Sequence, residues 1–215
     1  MKLSNIFPKY KTLENLSILW LGTVGGSAFA FLAQMYLPRV LGPSNYGLFS
    51  SAMALIAMVL PLAGFGVYPF LLKIFGTEGW GAVRWLAPTF RLSAIMTVAT
   101  AAGVAVWAMT GPHDHHARNI MLLLIPIIPS GLFLELVACR YQLEERYSRY
   151  VIWHIIQHIL RFLVIIALFL FPVASSLLTL GAAYSLIAVI ICLYGAFQLY
   201  GFIRASIALK GHGLK

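Results

Sequence analysis

Six long apolar runs divide this chain, at 16–37, 46–72, 92–110, 119–139, 151–171 and 177–202. A helix rises about 1.5 Å per residue and a bilayer's hydrocarbon core is about 30 Å thick, so about 20 residues suffice to cross it. Backbone N–H and C=O groups find no water in hydrocarbon, and a helix satisfies them internally. The pattern therefore predicts an all-α integral membrane protein, a bundle of six transmembrane helices filling residues 1–215 as one unit. Composition excludes the soluble alternative: 61% of residues are hydrophobic and 10% charged, more apolar surface than a water-facing fold can hide. Lys2, Lys9 and Lys11 followed by Ala28-Phe29-Ala30 imitate a secretory signal. The run continues to Leu37, past the ~7–15 residues of a signal core, so it reads as the first transmembrane helix.

The basic residues occupy the connectors. With the amino terminus inside, Lys2, Lys9, Lys11, Lys73, Arg84, Arg91, Arg140, Arg146, Arg149, Arg204, Lys210 and Lys215 fall on the cytoplasmic side, Arg39 and Arg118 outside, and Arg161 within a run. This bias predicts both termini in the cytoplasm of a bacterial inner membrane. It also accounts for the net charge of +9 without invoking nucleic acid, because basic connectors match an anionic inner leaflet.

Small and helix-breaking residues predict how the runs pack. Gly22, Gly26 and Ala30 repeat every fourth residue, a face that lets a second helix approach closely. Pro61, Gly64, Gly66 and Pro69 interrupt the second run, and Pro126 and Pro129 the fourth. Such breaks need protein groups or a wet cavity to satisfy the freed backbone, and they recur at transporter substrate sites.

Between the first two runs lies Leu37-Pro38-Arg39-Val40-Leu41-Gly42-Pro43-Ser44-Asn45-Tyr46-Gly47. Gly42 can take a positive φ that ends one helix, Pro43 blocks continuation, and Ser44 or Asn45 can cap the next helix. This corner, with Tyr46-Gly47-Leu48-Phe49, Gly64-Phe65-Gly66 and a polar, basic connector from Lys73 to Arg91, resembles the polysaccharide biosynthesis export family. That family includes the O-antigen flippases, in a superfamily with multidrug exporters. The resemblance implies a lobe of six helices facing a second lobe across a central cavity. It implies a cargo of undecaprenyl-diphosphate-linked oligosaccharide, moved by alternating access during lipopolysaccharide biosynthesis. The chain matches the amino-terminal lobe in length, so the expected partners are the bilayer, the lipid-linked cargo and a second lobe from another chain or a second copy.

Arg161 is the most informative charge. At a helix centre an arginine costs about 2.5–3.5 kcal/mol on insertion scales, so it faces a partner or a wet cavity. His154, His158 and Arg161 share one helical face, with Gln157 beside it. Two roles are open to this strip: binding a lipid diphosphate, or an internal ion pair such as Arg161 with Glu135. Arg39, Arg91 and Gln34 are further candidates for cargo contact, against anchoring, positive-inside and interhelical hydrogen-bonding roles respectively.

No enzyme or cofactor is expected. His113-Asp114-His115-His116 sits in a short connector without a second ligand cluster, and His154 and His158 lack the glutamate of a zinc protease between them. Cys139 and Cys192 read as small buried hydrophobes, and no phosphate-cradling glycine loop occurs. The competing readings are a cation-coupled multidrug antiporter, which needs a membrane carboxylate such as Glu135, and a non-transporting scaffold for polysaccharide synthesis.

Overall fold

The computed structural model describes residues 7–171 and 176–211, with side chains within 17–171 (Trp80 excepted) and 176–201. The side chains of Lys2, Lys9, Lys11, Arg204, Lys210 and Lys215, and the connector 172–175, lie outside the described residues. The helices are α1 (Phe7–Gly64), α2 (Val67–Glu78), α3 (Leu86–Thr110), α4 (His115–Leu124), α5 (Ile127–Leu143), α6 (Tyr147–Leu170) and α7 (Leu177–Gly211). No strand occurs among the described residues. Five helical stretches are long and apolar enough to cross a membrane: Ser17–Glu78, Gly81–Thr110, His115–Leu143, Tyr147–Leu170 and Leu177–Gly201. The protein is a multi-pass helical bundle.

The first two expected runs are one helical stretch, α1, broken at Gly42 (φ 75°, ψ 163°). That backbone region is essentially restricted to glycine. Helix directions show what the break does. Gly22 lies against Val151, and Gly26 against Ile155 and His158, so the first part of α1 runs parallel to α6. Gly131 lies against Leu60, and Gly64 against Glu135, so the second part runs parallel to α5. The tight turn after α5, where Arg146 N–H donates to the Tyr141 carbonyl at 2.8 Å, makes α5 and α6 antiparallel. The two parts of α1 are therefore antiparallel, and the chain reverses at Gly42. The Tyr46 hydroxyl accordingly reaches back to Gln34 Oε1 at 3.3 Å.

The corner is closed differently from expectation. Asn45 Nδ2 donates to the Leu41 carbonyl at 3.2 Å. It serves an orphaned acceptor at the end of the preceding helix, whereas the sequence placed it as a cap of the following one. At the start of α7 the usual arrangement holds: Ser176 Oγ accepts from Thr179 N–H at 3.0 Å.

Both expected interruptions are present, so 46–72 and 119–139 are each two helical pieces. Phe65 (φ 44°) and Gly66 (φ 69°) separate α1 from α2, and Pro126 lies between α4 and α5. Neighbouring helices serve the carbonyls beside both breaks. Thr97 Oγ1 of α3 donates to the Ala63 carbonyl at 3.4 Å, and Ser185 Oγ of α7 donates to the Leu123 carbonyl. These hydroxyls supply what hydrocarbon cannot.

The connector from Lys73 to Arg91 is also revised. It is helical through Glu78, a 3-10 turn over Gly79–Trp85, and helical again from Leu86. Phe75, Ala82 and Leu86 are buried along it, so apolar anchors hold this charged stretch against the bundle. The third run thus begins at Leu86 rather than 92.

Buried side chains form two apolar layers. One, at the Gly42 end, gathers Leu37, Leu41, Phe49, Ile120, Leu124 and Leu180. The other gathers Leu71, Phe75, Leu86, Val137, Tyr141 and Leu199. Tyr68 donates to Gln142 Oε1 at 2.9 Å, and Arg140 Nη1 to the Gln198 carbonyl at 2.6 Å. Those bonds tie the ends of α2, α5 and α7 together, placing the basic connectors around Lys73–Arg91 and Arg140–Arg149 at one end of the bundle.

Candidate functional site

α6 carries the strip that the sequence singled out, and packing decides where it points. Gly22 and Gly26 allow α1 to press against the Val151–Ile155 face. Trp153 is buried and its Nε1 donates to the Leu134 carbonyl of α5 at 3.1 Å. Pinned on these two sides, α6 turns Gln157, His158 and Arg161 into two cavities between α1, α5 and α7.

The larger cavity, about 490 Å³, is lined by His158, Arg161, Gln34, Tyr46, Ser50 and Tyr184 among smaller apolar residues. The smaller, about 270 Å³, is lined by His154, Gln157, Arg161, Glu135 and Ser130 among others. Arg161, Met53 and Ala57 line both, so the arginine stands at the junction. Its guanidinium carbon lies 5.4 Å from the centre of the Tyr184 ring, a cation–π arrangement. Phe49 holds that ring edge-on at 5.3 Å between centroids. Arg161 Nε is buried and has no hydrogen-bond partner among the described residues.

The internal ion pair is not formed. Among the described residues, ion pairs join Arg84 to Glu78, and Arg140 and Arg146 to Glu144. Glu135 lines the smaller cavity instead, with Oε2 lying 2.9 Å from where a Cβ on Gly64 would be. Glycine at 64 thus makes room for a carboxylate, while Gly66 meets nothing within 4 Å and is required for its positive φ.

The remaining candidates separate. Gln34 lines the larger cavity and also accepts the Tyr46 hydrogen bond. Arg39 is exposed, stacked over Tyr36 at 5.9 Å, and lines neither cavity. Arg91 is exposed near the start of α3 and also lines neither. Pro43 is exposed just past the reversal, and Gly47 has open space around it, its carbonyl accepting from Ser51 Oγ at 2.8 Å.

Comparison with known proteins adds no relative to this geometry: no family model, curated protein or solved structure matches the chain. The arrangement must be read from its own chemistry.

Sequence reasoning missed Tyr184. It sits among aliphatic residues of α7 and marks itself only as the hydroxylated aromatic facing Arg161 across the bundle. The cavity wall is chemically one-sided. A guanidinium, two imidazoles, two amides and the Tyr184 phenol offer donors suited to anionic oxygen, and Glu135 is the lone carboxylate among the lining residues named for either cavity.

Proposed function

We propose that the chain is a flippase-type transporter lobe that holds the diphosphate of a lipid-linked oligosaccharide at Arg161. On this reading the bundle makes six crossings, the stretch either side of Gly42 counting as two. Both termini lie in the cytoplasm of a bacterial inner membrane. The observation that carries the reading is Arg161 Nε, a buried donor without an acceptor among the described residues, at the junction of two cavities. Leaving a charged donor unsatisfied is costly, and an anionic cargo relieves that cost. His158 and Gln34 line the same cavity and add donors beside it, with Gln34 held through its Oε1 by the Tyr46 hydroxyl. Transport follows from a shift between inward- and outward-facing populations, with no covalent step and no cofactor. The cavities are too small for a whole glycolipid, which fits a site completed by a second lobe. The corner resemblance to the polysaccharide export family supports the same reading.

The test is glycan export in cells carrying Arg161→Ala, with membrane insertion checked separately. Export should be lost with insertion intact; export at the original rate refutes the assignment. One observation favours a second reading, cation-coupled antiport: Glu135 is exposed to the smaller cavity and is not ion-paired among the described residues. That reading requires Glu135→Gln to abolish transport while Arg161→Ala spares it.

A further inference from the structure

Away from those cavities, a groove of about 420 Å³ runs between α6 and α7. Its floor is Trp153, Tyr141 and Ile191, all buried, and its rim is Ile152, Ile190 and Tyr194, which are 64%, 51% and 46% exposed. Trp153 and Tyr194 stack within it at 5.2 Å. From Ile152 through Ile156 to Leu160 the apolar wall extends about 12 Å along α6. At one end the lining turns polar with Arg149 and Gln198.

The polar end is cationic in three ways. Arg149 lies in the first turn of α6, where the helix dipole is already positive. That first turn contains no acidic residue, and no side chain caps it. Glu144 is engaged by both Arg140 and Arg146, and among the described residues neither Arg149 nor Glu145 makes an ion pair. An arginine here is unfavourable for the helix alone and favourable with an anion bound.

We propose that this groove binds an anionic membrane glycerophospholipid, with an acyl chain along Ile152–Leu160 and the headgroup phosphate at Arg149. The surrounding medium of a membrane-spanning bundle is lipid, so the groove is filled by an acyl chain in any bilayer. Arg149 supplies the preference for negative charge, as basic pockets at the cytoplasmic ends of helices do. The site lies apart from Arg161 and is independent of any transported cargo.

The test is native mass spectrometry of the full chain released from bilayers mixing phosphatidylglycerol with phosphatidylcholine. The original protein should retain phosphatidylglycerol preferentially. Arg149→Gln should lower that preference about five-fold, the effect of one arginine near an anionic surface, and Arg149→Lys should restore most of it. Ile156→Trp, which fills the groove, should displace both lipids. Arg39→Gln, at the opposite end of the bundle, should change nothing. Equal retention of the two lipids, an unchanged preference in Arg149→Gln, or a matching loss in Arg39→Gln overturns the proposal.

Discussion

Replacing Gly22 with alanine should loosen the bundle by pushing α1 off α6. An ideal Cβ at Gly22 would lie 2.5 Å and 2.7 Å from the two γ-methyls of Val151. Carbon atoms pack at about 3.5–4.0 Å, so the helices must separate by about 1 Å locally. Val151 cannot rotate out of the way, because a β-branched side chain in a helix has one strongly preferred rotamer. Overpacking of this kind costs about 1–3 kcal/mol. Helix association in a membrane depends on close packing rather than on apolar burial, so the loss is not offset elsewhere. Gly26→Ala should cost less, since its Cβ would meet the edge of His158 at 3.2 Å, and an imidazole can shift by the few tenths required. Gly103→Ala is the control: nothing lies within 4 Å, and removing a mid-helix glycine favours the helix by about 0.5–1 kcal/mol. Unfolding of detergent-solubilised protein by sodium dodecyl sulfate should rank the three in that order. Val151→Ala should rescue Gly22→Ala, with a coupling energy of about 0.5–3 kcal/mol in the double-mutant cycle. If Gly22→Ala proves as stable as Gly103→Ala, the α1–α6 packing described above is wrong.

Gly42→Ala should cost about 1–3 kcal/mol in the same assay despite open space around the residue, because φ and ψ alone carry the penalty; a neutral outcome contradicts a reversal at this residue. Thr97→Val and Ser185→Ala should each destabilise by about 0.6 kcal/mol, the typical worth of a hydrogen bond between membrane helices, and the two should add, since the hydroxyls serve different breaks. Cysteine labelling in intact cells should reach a probe at His115 and not one at Lys73, and equal labelling of both refutes the proposed orientation.

The fold was legible where chemistry is local. Apolar runs gave the helices, because lipid demands length and little else. Gly22 and Gly26 gave a packing face, and Gly42 gave a break, because each is a backbone requirement written in one residue. The partners of those features were not legible. Nothing near Ala63 names Thr97, and nothing near Leu123 names Ser185, since a hydroxyl reveals its acceptor only once helices are side by side. The stretch from Lys73 to Arg91 read as a connector because its charges are conspicuous, while Phe75, Ala82 and Leu86 are too widely spaced to register as a run. The candidate site divided the same way. His154, Gln157, His158 and Arg161 share a helix and so were found together. Tyr184 joins them through tertiary packing alone, Gln34 takes its place on the cavity wall, and Arg39 and Arg91, for which anchoring and positive-inside roles stood beside cargo contact, line neither cavity.

The parallel docking of the first crossing on α6 sets a timetable for biogenesis. Gly22 waits for Val151, a residue 129 positions later. At a synthesis rate of ~5–20 residues per second that is roughly 6 to 26 seconds. Throughout that interval the glycine furrow is filled by acyl chains and open to any passing small-residue helix. The segment around Gly22 therefore enters the bilayer well before α6 and becomes native only once α6 has followed it. A membrane chaperone that shelters nascent helices would find a long-lived client surface at Gly22 and Gly26.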